Sequence, residues 1–105
     1  MAQTFGEKIR ALRKENGLTL DQLAEKTESS KSYIWELENK NPPRPSAEKI
    51  ARIAAALGVT SDYLMDEKDQ KKETAQDLAF YRKYRTVDPA TKDKVRQMLD
   101  LMIKK

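Results

Sequence analysis

The chain has 105 residues, 38% hydrophobic and 36% charged, with a net charge of +4, which bounds it to one small domain or one domain with an appendage. It contains neither cysteine nor histidine, so disulfides, a zinc site, a thiol nucleophile and a histidine base are excluded, and no metal, cofactor or enzymatic activity is expected. No apolar run is long enough to span a membrane and no secretory signal opens the chain, so a cytoplasmic protein with no membrane association is expected.

The charge is unevenly placed. Residues 1–66 carry ten basic and ten acidic side chains, whereas residues 67–105 carry eleven basic and seven acidic. The positive excess therefore belongs to the tail. Phosphate binding by the first two thirds must rest on local placement and on helix termini.

Helical periodicity runs through the chain. Phe5, Ile9 and Leu12 recur at i, i+4, i+7 in a first helix over 5–16, with Thr4 and Glu7 spaced as a capping box and Gly17 as its stop. A second helix is predicted at about 20–26, capped by Thr19, with Leu23 and Ala24 inward. A third begins at Ser29 or Ser30 and runs to about Asn39, burying Ile34 and Leu37. The segment "NKNPPRP" ends it, because proline lacks an amide donor.

Ser46 starts a fourth helix that buries Ile50, Ile53, Ala54 and Leu57 and ends at Gly58. A short fifth at 60–65, capped by Thr60 or Ser61, hides Tyr63 or Leu64. "DEKDQKKE" has almost no apolar content and reads as a solvated linker over 67–73. Two more helices follow, at about 74–85 and 89–104, the latter with Asp88 as cap and Pro89 at its first position. There is no internal repeat.

Helix, short turn and helix over 19–39 have the spacing of a helix-turn-helix. If Ile34 and Leu37 face the core, Lys31, Ser32, Trp35 and Glu36 lie on the exposed side of the third helix. Tyr33 and Trp35 then offer flat faces for a thymine methyl, a sugar or a phosphate, unless one of them packs on the domain's own surface.

The stretch "GLTLDQLAEKTESSKSYIWELENKNPPRPSAEKIARIAAALGVTSDYLM" resembles the Cro/C1-type helix-turn-helix regulators, the XRE family. The resemblance lies in "GLT" entering the second helix, "LA" within it and "S-x-S-x-I-x-x-L-E" in the third. The proline before the fourth helix and "IAAALGV-x-x-D-x-L" at the end complete it, and it spans roughly 5–66. It implies an all-α fold with a five-helix lambda-repressor-like DNA-binding domain at 1–66; the tail at 74–105, where "FYRKYRTVDPATKDKV" resembles the C-terminal extension of many short XRE regulators, reads as a C-terminal helical hairpin for oligomerisation. It also implies a transcriptional regulator, a repressor, that binds a palindromic operator in double-stranded DNA as a homodimer.

Carried over by position, Lys31, Ser32 and Glu36 read bases with Trp35 beside them. Ser30, Tyr33, Asn39 and Arg44 contact the backbone, and Arg44 approaches the minor groove. Arg13 and Glu38 match a pair that such proteins join as a partly buried ion pair; the alternative is a solvated pair worth well under ~1 kcal/mol. Three positions depart from the pattern. Leu20 replaces a polar phosphate-binding side chain, Glu28 occupies a turn position that favours glycine, and Ser29 replaces a buried valine.

In the tail, Leu78 and Tyr81 form one apolar stripe with Tyr84, flanked by Phe80. Val95, Met98, Leu99 and Met102 form a second, widened by Leu101 and Ile103. The stripes suit a dimer or a higher oligomer. Alternatively the hairpin folds back on its own domain or binds a second protein, as in an antitoxin that represses its own operon. A further rival is a protein–protein adaptor that keeps the fold without binding DNA, favoured by Leu20 and the zero charge of residues 1–66.

Overall fold

The structure, a computed structural model, describes residues 3–65 and 71–103. Among them are seven helices and no strand: α1 (Phe5–Glu15), α2 (Leu20–Lys26), α3 (Lys31–Asn39), α4 (Ala47–Leu57), α5 (Ser61–Met65), α6 (Lys72–Thr86) and α7 (Pro89–Ile103).

Short polar residues start the helices of the first unit. The Thr4 hydroxyl accepts from the Glu7 amide at 3.1 Å while the Glu7 carboxylate accepts from the Thr4 amide at 2.9 Å, closing the expected capping box. Thr19 and Gln22 form a second box. Ser30 and Ser46 accept from the Tyr33 and Lys49 amides, and Thr60 accepts from the Tyr63 amide ahead of α5. Each such cap contributes about 1 kcal/mol. Gly58 closes α4 in the left-handed region at φ 73°, the conformation that a Cβ disfavours.

The caps fix which faces turn inward. Ile9 and Leu12, Leu23 and Ala24, Ile34 and Leu37, Ile50, Ile53, Ala54 and Leu57 are all buried, as the periodicity predicts. Val59 and Leu64 close the core beneath α5, whereas Tyr63 is only partly buried. Full burial of each large aliphatic side chain contributes about 1.5–3 kcal/mol. This cluster is what holds five short helices together.

The tail departs from expectation at its start. Residues 67–70 of the expected linker lie outside the described residues, but Lys72 and Glu73 already belong to α6. The reason is docking. Ala75 is completely buried in the core cluster, and Glu15 at the end of α1 accepts from Lys72 Nζ at 3.0 Å and from Gln76 Nε2 at 3.2 Å. The first turn of α6 therefore folds onto the five-helix unit.

Beyond that turn α6 borders a cavity that Ala51 and Ala55 of α4 share with Ala79, Phe80 and Lys83. Lys92 and Arg96 of α7 sit over the Tyr84 ring of α6, 5.6 and 5.9 Å from its centroid. Asp88 accepts from the Thr91 hydroxyl, which holds its carboxyl below the usual range. No residue of α7 is buried. Met98, Leu99 and Met102 are exposed, as is Tyr81 of α6, while Leu78 and Val95 are half-buried.

Candidate nucleic-acid interface

The third helix is presented by contacts at both of its ends. At its N-terminus the Ser30 cap leaves the first-turn amides pointing outward, a favourable place for an anion. Toward its C-terminus, Glu38 receives Arg13 Nε at 2.7 Å and Nη2 at 3.1 Å, a two-pronged bond. Arg13 also donates to the Leu18 carbonyl at 2.9 Å. The side chains of this pair are only 11% and 2% exposed, which decides for the partly buried ion pair over the solvated one. The carboxylate bond raises the Arg13 pKa further, with burial opposing it, so the guanidinium stays charged at every accessible pH.

With Ile34 and Leu37 buried, the opposite side of α3 faces outward. Lys31, Ser32, Trp35 and Glu36 are all exposed and line one shallow depression with Leu20. The four side chains expected to read bases are thus brought together. Leu20 contributes an apolar patch beside them where a polar contact would ordinarily lie. Lys31 is 3.9 Å from Asp21, an exposed pair that costs little to separate. Trp35 is 43% exposed, and Lys40 Nζ lies 5.5 Å from its ring centroid.

The residues assigned to the DNA backbone are more scattered. Ser30 is exposed at the cap, and a hydroxyl that accepts an amide keeps its own proton for another partner. Tyr33 turns partly inward and packs on the core, where burial raises its pKa; its ring is more a wall of the domain than a free face. The Asn39 amide donates to the Trp35 carbonyl at 2.9 Å. Arg44 is held away from the start of α3, with its guanidinium 5.5 Å from the Phe5 ring and Nη1 3.2 Å from Met65 Sδ. It therefore belongs to the edge of the surface made by α1 and α5.

Two positioning residues were not legible in the sequence. Gly6 lets α1 pass directly against the backbone of α3 at Leu37 and Glu38. Lys49 bonds the turn between α2 and α3 through the Ser29 hydroxyl and the carbonyls of Thr27 and Glu28. Glu28 adopts φ 54°, the left-handed conformation that its place in the turn predicts. Among the described residues no group of acidic side chains is arranged to hold a metal ion, and no helix is long and apolar enough to cross a membrane.

Residues 6–70 match the model of the "Helix-turn-helix domain" family. The chain is 35% identical over 72 residues to the HTH-type transcriptional regulator SinR of Bacillus subtilis, an alignment covering 69% of this chain and 65% of SinR. The chain thus spans slightly less than two thirds of that relative's length. Among solved structures, the crystal structure of the biofilm master regulator SinR in complex with DNA aligns with TM-score 0.57 and 35% identity, covering 60% of this chain and all of that one. A SinR–SinI protein complex aligns with TM-score 0.57 and 30% identity over 94% of each chain.

Proposed function

Because the chain belongs to the helix-turn-helix domain family, we propose that it is a sequence-specific DNA-binding transcriptional regulator, a repressor acting as a homodimer on a palindromic operator. The observation that carries this reading is the exposed grouping of Lys31, Ser32, Trp35 and Glu36 on a helix that the partly buried Arg13–Glu38 pair ties to α1. One helix of this size fits the major groove with its N-terminal side chains against base edges. Lysine donates to guanine acceptors, serine serves either edge, and glutamate accepts from the cytosine amine. The first-turn amides and the Ser30 hydroxyl meet a phosphate, and Arg44 holds the backbone at the domain edge.

Two copies are needed for a palindrome, and α7 supplies the face. Its Met98, Leu99, Leu101, Met102 and Ile103 are 55–78% exposed in the single chain, an apolar surface that pairing would cover. The same face suits a second protein, and the alignment with the SinR–SinI complex over nearly the whole chain supports that second reading. The protein works in the cytoplasm without cofactor and has no enzymatic role, in keeping with relatives that are transcriptional regulators.

A gel shift at graded salt tests the reading against the adaptor alternative. DNA binding releases counterions and must weaken steeply as salt rises. A chain that retains no duplex even at low salt is an adaptor.

A further inference from the structure

The turn between α2 and α3 sets the angle at which the recognition helix is presented, and it is built here from unusual parts. Glu28 holds a positive φ of 54° although it carries a Cβ. Ser29 puts a half-buried hydroxyl in the joint where an apolar side chain would pack. Both features converge on one side chain from a different helix. Lys49, in the first turn of α4, places Nζ 2.8 Å from Ser29 Oγ, 3.0 Å from the Thr27 carbonyl and 3.4 Å from the Glu28 carbonyl. The first two are full hydrogen bonds of the ammonium, and the Glu28 carbonyl is a longer contact at its third donor.

The placement is electrostatically sound. Thr27 caps the C-terminal end of α2, where unpaired carbonyls and the helix dipole attract a cation. The Ser29 hydroxyl donates to the Thr27 carbonyl at 3.3 Å, so lysine, serine and turn backbone form one connected unit. Arg52, farther along α4, adds only a long exposed pair to Glu28 at 4.0 Å.

We propose that Lys49 is a positioning residue for DNA recognition: it latches the helix-turn-helix turn to α4 and so fixes the angle of α3 without touching DNA. This rests on the DNA-binding reading given above. With its Nζ turned onto the Ser29 hydroxyl and the Thr27 carbonyl, Lys49 is committed to the turn rather than to a phosphate. Its contribution passes through α3 to the bases and is separate from counterion release.

Lys49→Met keeps the stem and removes the donors. The probes are a duplex selected by the unaltered protein from a random-sequence pool and a scrambled duplex of equal length. At a temperature where the variant is fully folded, affinity for the selected duplex should fall about tenfold, with scrambled binding and the salt slope unchanged. A shallower salt slope would make Lys49 a phosphate contact, and undiminished affinity would make it merely structural; either overturns the proposal. Amide exchange over Glu28–Ile34 in the free protein, expected to speed up about tenfold while α1 stays protected, reads the latch without DNA. Unchanged exchange overturns the proposal even if the unaltered protein retains no duplex, an outcome that would separately dismiss the DNA-binding reading.

Discussion

A Cβ on Gly6 would lie 2.4 Å from the carbonyl oxygen of Leu37 and 2.9 Å from that of Glu38. The first helix thus touches the backbone of the recognition helix through a residue with no side chain. Both obstacles are backbone atoms of a packed helix, so neither can swing aside. Gly6→Ala gains the better helix propensity of alanine, about 1 kcal/mol, but must push α1 from α3. The clash should win, with a net loss of about 1–3 kcal/mol in urea unfolding. A variant as stable as the parent would show that α1 slides at no cost.

Along the same contact between α1 and α3, removal of the Glu38 side chain should be more severe. Glu38→Ala leaves Arg13 charged, buried and without its carboxylate, which typically costs about 3–5 kcal/mol. Thermal unfolding checks this, and Arg13→Met with Glu38→Leu should recover much of the loss because no charge is then stranded. A loss below about 1 kcal/mol would return the pair to the solvated class.

How much of this was legible in the sequence depends on the reach of each contact. Thr4, Thr19, Ser30 and Ser46 act on residues three positions away, and the core faces repeat within a helix, so a linear reading finds them. The Arg13–Glu38 pair, 25 residues apart, was reached only through resemblance to a family. Gly6, Lys49 and the docking of Ala75 were missed because their partners lie far along the chain. Lys49 reads as an ordinary charged residue until the half-buried Ser29 hydroxyl appears beside it. For Tyr33 the sequence left two readings open, a free face or packing on the domain's own surface, because an aromatic on a polar helix gives no sign of how far it turns inward; its ring packs partly on the core.

Base reading makes a sharper prediction than affinity alone. Alanine at Lys31 or Glu36 should relax preference at single operator positions, by about 1–3 kcal/mol for each lost bidentate base contact. Arg44→Ala should instead weaken all duplexes alike and reduce the salt slope by about 1. Binding of each variant to a panel of single-base substitutions separates the two classes. A uniform loss for Lys31→Ala would move it to the backbone.

The docking of α6 should respond to acid. Bonds from Lys72 and Gln76 hold the Glu15 carboxyl below its usual range, and the Glu15 bond raises the Lys72 ammonium above its own. A depressed carboxyl contributes above its unfolded value and fails as pH falls through the folded one. A raised ammonium contributes below its unfolded value and fails as pH rises. The contact is therefore complete between about 4.3 and 10.4, the ordinary glutamate and lysine values. Protection of the first-turn amides of α6, relative to their intrinsic exchange rate at each pH, should fall below that window, and Glu15→Gln should remove the acid dependence. Equal acid dependence in the variant would assign the effect to another carboxyl.

The assembly prediction turns on α7. A two-fold operator needs two recognition helices about 34–36 Å apart, and the five-helix unit has already buried most of its large apolar side chains. Leu99 is 55% exposed in the single chain, so Leu99→Asp should leave the fold of one copy untouched. In a paired seam the same carboxylate would be buried without a partner, a cost of several kcal/mol. The variant should therefore sediment as a monomer with unchanged helical content by circular dichroism, and bind full operators far more weakly than the parent. Truncation after Asp66 is a less discriminating test, because it also removes Ala75 from the core and the two ligands of Glu15. If Leu99→Asp still sediments with the parent as a dimer, α7 is not the seam between copies, and its apolar face is left to a second protein.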